Sequence, residues 1–375
     1  MILVLSAWAC AAPEPEPQGC QGSSCEAIRP QCLTAADCAG DAAGPVCDRV
    51  RQHCRPCMAH AECPSGLCRY DEAIAAPVPV GGCLPPELVA WVDGSRCRPE
   101  EADGSAERPY CEVQDALAAR FSFVAVRPRE RSTPYAPISV SAGRVVIAGP
   151  ERDADPQAVL GGVSVSGRST QLLLLDLAVQ NPTGTAALCR EGQMSLLRSI
   201  VAFSREGVVA TDGCRLGVER SRLSGNARVA LRTTATARHR VINSLFVLNG
   251  RGYDTADRLN QADVVIDLGS NANDNLFSFN TASANEGFVS CRAGQVLRSS
   301  ILAGRRSPLR DPGCVLEAVY VGDEETPRFD RRYALTPASH CCIDNALPDA
   351  TVRLDYESSP RPKGAGHDMG CYELQ

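Results

Sequence analysis

The chain has 375 residues, with 31 Gly, 26 Pro and only 5% aromatics, a balance that excludes a large helical globule and suits short strands joined by many turns. Its formal net charge of -6 and sequence pI near 5.5 provide no field to draw it to nucleic acid or to an anionic membrane surface. Twenty cysteines exclude a reducing compartment unless they hold metal, so export is the simplest reading.

In chain order, residues 1–19 read as a signal and tether. MILVLSAWAC joins a short apolar run to a small-x-small site, Ala7-Trp8-Ala9, directly before Cys10. This resembles a bacterial lipoprotein signal, with Cys10 as the lipid-bearing residue, although Ala7, Trp8 and the lack of a basic start depart from that pattern. Plain secretion is the alternative. The following AAPEPEPQG is a stiff Pro/Glu spacer. Nothing later is long and apolar enough to span a bilayer, so lipid at Cys10 is the only membrane route the sequence offers. The expected location is extracellular or the outer-membrane surface.

Residues 20–88 form a cysteine-rich module, with ten cysteines between Cys20 and Cys83. Two units follow one another: Cys32, Cys38, Cys47 and Cys54, then Cys57, Cys63, Cys68 and Cys83. In each, an acid (Asp37, Glu62) stands just before the second cysteine. Each unit is expected to close two disulfides, with a connectivity that spacing does not give. Cys54-x-x-Cys57, flanked by His53 and His60, also fits a zinc site. The exported context favours disulfides and leaves the histidines on the surface.

Residues 89–343 carry a repeat. LLRSIVAFS, RVINSLFVLN and QVLRSSILAG share one pattern, and a small polar residue sets the register at Asp176, Ser199, Ser221, Ser244, Asn280 and Ser299, at intervals of 23, 22, 23, 36 and 19. Three positions before the mark stand Leu173, Leu196, Val218, Val241, Phe277 and Val296; two after it stand Ala178, Val201, Leu223, Phe246, Ala282 and Ile301. Turn formers follow at Asn181, Ser204, Asn226, Asn249, Asn285 and Gly304. A period near 22 without helical pattern means coils of short strands that bury their apolar columns only by stacking, about 4.8 Å apart, as a parallel β-solenoid. Cys189 and Cys214, like Cys291 and Cys314, lie about one coil apart, within disulfide reach, and both bridges are expected. At the end of the chain Cys341, Cys342 and Cys371 leave an odd number, and adjacent cysteines are poor partners for each other.

The segment AWVDGSRCRPEEADGSAERPYCEVQDAL, then FVAVRP and RVVIAGP, resembles the beginning of right-handed parallel β-helix proteins of the pectate-lyase-like superfamily. The ending GHDMGCYELQ, in the closing segment 344–375, resembles the tail of many bacterial β-helix domains. The resemblance implies an all-β right-handed parallel β-helix behind a helical cap, with Cys97 and Cys111 tying the loop to the cap. It specifies architecture and leaves activity open.

Polysaccharide lyases and hydrolases on this fold use paired acids, a catalytic Arg or Lys and often Ca²⁺. The chain has one lysine, Lys363, and His239 is the only histidine inside the repeats, expected at the surface. The 36-residue coil carries an acidic insertion with Asp254, Asp257, Asp263, Asp267 and Asp274 beside Arg251 and Tyr253. Asp254, Asp263 and Asp267 are the candidate catalytic acids; Ca²⁺ there is the one cofactor left open, and no other metal is expected. Arg198, Arg220 and Arg298, with Asn243, fall in one column before the register mark and suggest a basic stripe for acidic glycans. With Arg251 and Tyr253, these arginines are the candidate ligand-binding residues. The sequence reading is a surface protein that binds polysaccharide or a cell-surface protein without catalysis; the alternative is a polysaccharide lyase or hydrolase working at the 250–274 loop.

Overall fold

The computed structural model describes residues 32–374 except 39–43, 50–51, 56, 58–59, 64, 71–78, 151–156, 251–263, 271, 273–274, 305–307 and 310–312. From Val89 to Gly322 the chain is a parallel β-helix of three sheets. Sheet I has ten strands, running from Val89–Val92 to Cys314–Glu317; sheet II has eight, from Val159–Leu160 to Tyr320–Gly322; sheet III has seven, from Ile138–Val140 to Phe288–Cys291. One coil runs Thr185–Arg190 on sheet III, Gln193–Leu197 on sheet I, Ile200–Ala202 on sheet II, and rejoins sheet III at Glu206–Thr211. All pairings within these sheets are parallel.

Alternation along each strand divides the side chains. On sheet I, Leu174, Leu196, Val218, Val241, Phe277 and Leu297 stack inward as one buried stripe. Val179, Val201, Leu223, Phe246, Ala282 and Leu302 do the same on sheet II. The expected columns were therefore right for the four middle coils and one residue out at both ends, where Leu173, Val296, Ala178 and Ile301 yield to their neighbours.

The slip has one cause. The corner from sheet I to sheet II has two residues, and the small polar residue stands at the second in the middle coils, at the first for Asp176, and at both for Ser299 and Ser300. Successive backbone bonds put Leu177, Ser199, Ser221, Ser244, Asn280 and Ser300 in the second position, so Asp176 and Ser299 belong one position earlier. That earlier column, Asp176, Arg198, Arg220, Asn243, Phe279, Ser299 and Ala318, is left-handed throughout, with φ between 47° and 53°. Such a φ costs a non-Gly residue roughly 1–2 kcal/mol.

Ladders offset that cost. Backbone N–H groups of Ser199, Ser221, Ser244 and Asn280 each donate to the side-chain oxygen one coil on, at 3.1, 3.4, 2.9 and 3.1 Å. At the next corner Asn226 and Asn249 donate to the Oδ1 of Asn249 and Asn285 at 3.0 and 2.9 Å. Every member is buried or nearly so, and each ladder satisfies backbone groups that a turn would otherwise orphan.

Both inter-coil disulfides form, with Cα–Cα distances of 5.8 Å for Cys189–Cys214 and 5.2 Å for Cys291–Cys314. Cys189 aligns with Ala210, so its bridge joins a strand to the turn of the next coil. Cys97–Cys111 also forms, beside the helix Val113–Ala118. The cysteine-rich module closes as Cys32–Cys47 and Cys38–Cys54, then Cys57–Cys68 and Cys63–Cys83, which consumes the thiols a zinc site would need. Cys341 and Cys342 bridge each other, contrary to expectation, and Cys371 is a buried free thiol whose pKa burial pushes up to about 12. Eight bridges among the described residues are the signature of a secreted or extracellular chain. Among the described residues no helix is long and apolar enough to cross a membrane.

Candidate functional site

The outer face of sheet I is divided between two coverings and one open stretch. Over its first strands lies the cysteine-rich module: Leu67, Cys57, Cys68 and Leu84 cluster with Ala148, Leu173, Leu175 and Leu197, which point outward. At the adjoining corner, Arg198 holds Asp176 with both ends of its guanidinium, at 2.8 and 2.6 Å. His60 reaches the same carboxylate from the module, its Nε2 3.6 Å from Asp176 Oδ2, while its Nδ1 accepts from the Cys68 N–H at 3.2 Å. Burial lowers the His60 pKa to about 4 against the opposing pull of Asp176, so the ring is neutral at pH 7. His60 is thus an interface residue, not the surface one the sequence suggested.

Over the corner of the later coils lies the C-terminal segment. Arg220 donates to Ser358 Oγ at 3.1 Å, Asn243 Nδ2 to the Leu354 carbonyl at 2.5 Å, and Val352 packs on Ile242 and Phe279. The segment is held by Arg361, which is buried, stacks 4.6 Å from the Phe279 ring and donates to Glu373 at 2.7 Å and to the carbonyls of Asp368 and Gly370.

Between these two coverings the strand starts of sheet I stay open. Two adjoining hollows of about 280 and 460 Å³ share Gln193 and Arg215. The stacked column Gln171, Gln193, Arg215, Arg238 runs through them. One column further along the strands, Gly217 lies between Ser195 and Arg240, and both Gly217 and Arg240 line the smaller hollow. Arg168 adds a fourth cation from the turn, with Glu191 and Asp212 on the rim. Those two acids sit in left-handed turns between sheet III and sheet I, each followed by glycine. Among the described residues no acid pairs with Arg168, Arg215 or Arg240. The groove offers guanidinium forks and amides, the donor set for carboxylate or sulfate. Its lining holds no lysine, and its two acids are Glu191 and Asp212.

The expected basic stripe does not form as read. Arg198 and Arg220 share a column, but Arg298 is one residue out of register, aligned with Glu317 and paired to it at 2.8 Å. Arg198 and Arg220 are occupied by Asp176 and Ser358. His239 points inward beside Leu216 and is 3% exposed, correcting its expected surface position; its backbone N–H donates to Asn275 Oδ1. Asp267 lies on sheet III, away from the groove, opposite Arg232 on the neighbouring strand, with Arg232 Nε at 3.6 Å. Burial raises its pKa and Arg232 opposes the rise. Arg232 also binds Glu206 at 3.1 Å. Asp254, Asp257, Asp263, Asp274, Arg251, Tyr253 and Cys10 lie outside the described residues.

No protein-family model matches the chain, and no curated protein does. Among solved structures it is similar to pectate lyase Pel9A, with a TM-score of 0.43 and 12% identity, over 76% of this chain and 96% of that one. That likeness concerns the fold alone and carries no activity from one chain to the other.

Proposed function

We propose that the protein is an exported β-helix that holds an acidic polysaccharide, without cleaving it, in the arginine groove of sheet I. The observation supporting this reading is the convergence of Arg168, Arg215, Arg238 and Arg240 on one open surface left between the two coverings of the sheet. Successive coils, about 4.8 Å apart, set Arg215 and Arg238 in step along the solenoid, a spacing suited to the repeated anions of an extended chain. Tethering to an outer surface through lipid at Cys10 belongs to the same reading. A polymer bound this way is retained at low salt and released as ionic strength rises. The test is retention of the purified protein on immobilised polyuronate and sulfated glycan against neutral glucan, with new reducing ends assayed in parallel. Arg215→Ala and Arg238→Ala should each weaken binding about tenfold, the loss of one charge-assisted contact. Cleavage of any of these polymers overturns the non-catalytic reading, and equal retention on neutral glucan overturns the groove.

A lyase or hydrolase is the second reading, and Asp267 is what favours it: a half-buried carboxyl with a raised pKa beside Arg232, on the strand that follows the acidic insertion. Asp267→Asn would abolish such an activity with the fold intact, and would leave retention in the arginine groove unchanged.

A further inference from the structure

The two ends of the solenoid are finished differently. At the first coil the outer edge of Val89–Val92 is covered: Trp91 N–H donates to Gly104 O at 2.8 Å, Tyr110 N–H to Trp91 O at 2.9 Å and Asp93 N–H to Tyr110 O at 3.0 Å. Beside it the helix Val113–Ala118 buries Val113 and Ala116 in the core. At the last coil, Cys314–Glu317 ends sheet I and Tyr320–Gly322 ends sheet II. Among the described residues no backbone group bonds to the outer edge of either strand. The core stops in the open as well. Leu316 continues the inward stripe of Phe277 and Leu297, both fully buried, yet is 41% exposed; Val321 continues the stripe of sheet II and is 36% exposed; Val315 beside them is 46% exposed. After Gly322 the chain does not close this end. It runs back along the flank of the solenoid, against Leu245 and Ile301.

We infer that the last coil is the interface of a tail-to-tail dimer of this chain. An occupant must supply strand edges and an apolar layer in the same cross-section, and the same end of a second copy presents both. The first coil is sealed by Gly104, Tyr110 and the helix, so head-to-tail stacking is blocked and the contact closes on a two-fold axis instead of growing into a filament. The pleat then fixes the register. Two copies of Cys314–Glu317 related by a two-fold normal to sheet I run antiparallel, and directly opposed residues in such a pair point to the same face. Core meets core when Leu316 lies opposite the partner's Leu316. In that register Glu317, already held by Arg298, faces the partner's Val315, so no like charges meet. Dimerisation is independent of the groove assignment; where both hold, each dimer carries two grooves, and avidity for a long polymer rises.

The test uses the full chain in sedimentation velocity and on non-reducing gels. The wild type is expected at twice the monomer mass of 39.8 kDa, and Leu316→Arg at the monomer mass with an unchanged circular dichroism spectrum. Leu316→Cys is the control for misfolding: opposed Cα atoms in an antiparallel pair lie about 4.5–5.5 Å apart, within disulfide range, so mild oxidation should give a covalent dimer. A wild type that remains monomeric at ~100 µM, a dimer that survives Leu316→Arg, or a Leu316→Cys protein that does not cross-link would each overturn the inference.

Discussion

The cysteine-rich module and the solenoid solve the same problem, fixing short strands without long helices, by opposite means. In the module the core is largely cystine: Cys32, Cys38 and Cys54 form one buried cluster, and Cys57, Cys63 and Cys68 enter another with Leu67 and Leu84. Its strands are three to five residues long, too few to bury much apolar surface, so four covalent staples stand in for a core. In the solenoid each coil is equally short, but its neighbours repeat it, and columns of Leu, Val and Phe become continuous stripes flanked by hydroxyl and amide ladders. Covalent closure suits a unit that has no neighbour like itself, while repetition makes most coils independent of it.

Reduction separates the two regions most strongly. Four module bridges at about 2–4 kcal/mol each exceed what so small a unit retains without them. Under reducing conditions the module should become protease-sensitive across residues 32–83 and uncover Leu173, Leu175 and Leu197, while far-ultraviolet circular dichroism keeps the β signal of the solenoid. Loss of that signal in step with proteolysis would show that the solenoid depends on the staples too. The ladders are the solenoid's counterpart. Asn249 is fully buried, accepts from both Asn226 nitrogens and donates to Leu223 O and Asn285 Oδ1. Asn249→Ala orphans several of these groups at about 1–3 kcal/mol each, so a loss near 4 kcal/mol is expected by chemical denaturation.

The joint between the two regions carries a pH dependence. The folded His60 pKa, about 4, lies below its ordinary value of 6.5, so between these values the undocked module binds the extra proton. Docking is therefore fully stable above pH 6.5 and weakens as pH falls toward 4. Over that window the loss is about 3 kcal/mol. His60→Asn retains an acceptor for the Cys68 N–H and removes the titration, and it should flatten the melting temperature between pH 4 and 6.5. A wild-type profile already flat there would mean that Asp176 keeps the protonated ring as comfortable as water does.

Much of this architecture was legible in the sequence, because stacking makes a repeat write its contacts at a fixed interval. The period located the buried columns of the middle coils, both ladders and the two inter-coil disulfides. The register failed at Ser299, where Ser299 and Ser300 compete for one mark, and at Asp176, where the marking position holds Leu177 and the polar residue stands one place earlier; only the backbone bonds decide. His239 was misplaced because a histidine inside an apolar alternation reads as an interruption, although its position opposite Leu216 makes it part of the alternation. The groove did not stand out because it is built from Gln and Arg and not from paired acids, and its arginines lie in a different column from Arg198 and Arg220. Its signal was present: Gln171, Gln193, Arg215 and Arg238 recur at the coil interval. Arg220 is occupied by Ser358, from a C-terminal segment without period that leaves no trace to read, and Arg198 by Asp176 of the preceding coil.

The smallest expected effect tests whether the ladders tolerate strain or require it. Phe203 sits at the sheet II corner with φ of 53° and a ring 60% exposed, while Gly225 takes the equivalent place one coil on with φ of 63°. Both N–H groups bond to the following coil in the same way, to Ser224 O and Val247 O. Phe203→Gly removes roughly 1–2 kcal/mol of left-handed strain and adds about 0.5–1 kcal/mol of unfolded-chain entropy, with little burial to lose. A net gain of about 0.5 kcal/mol follows, seen as a melting temperature raised by about a degree. A fall instead would show that the Phe203 ring holds a contact that outweighs its backbone strain, and that this corner is set by its side chain and not by the ladder beneath it.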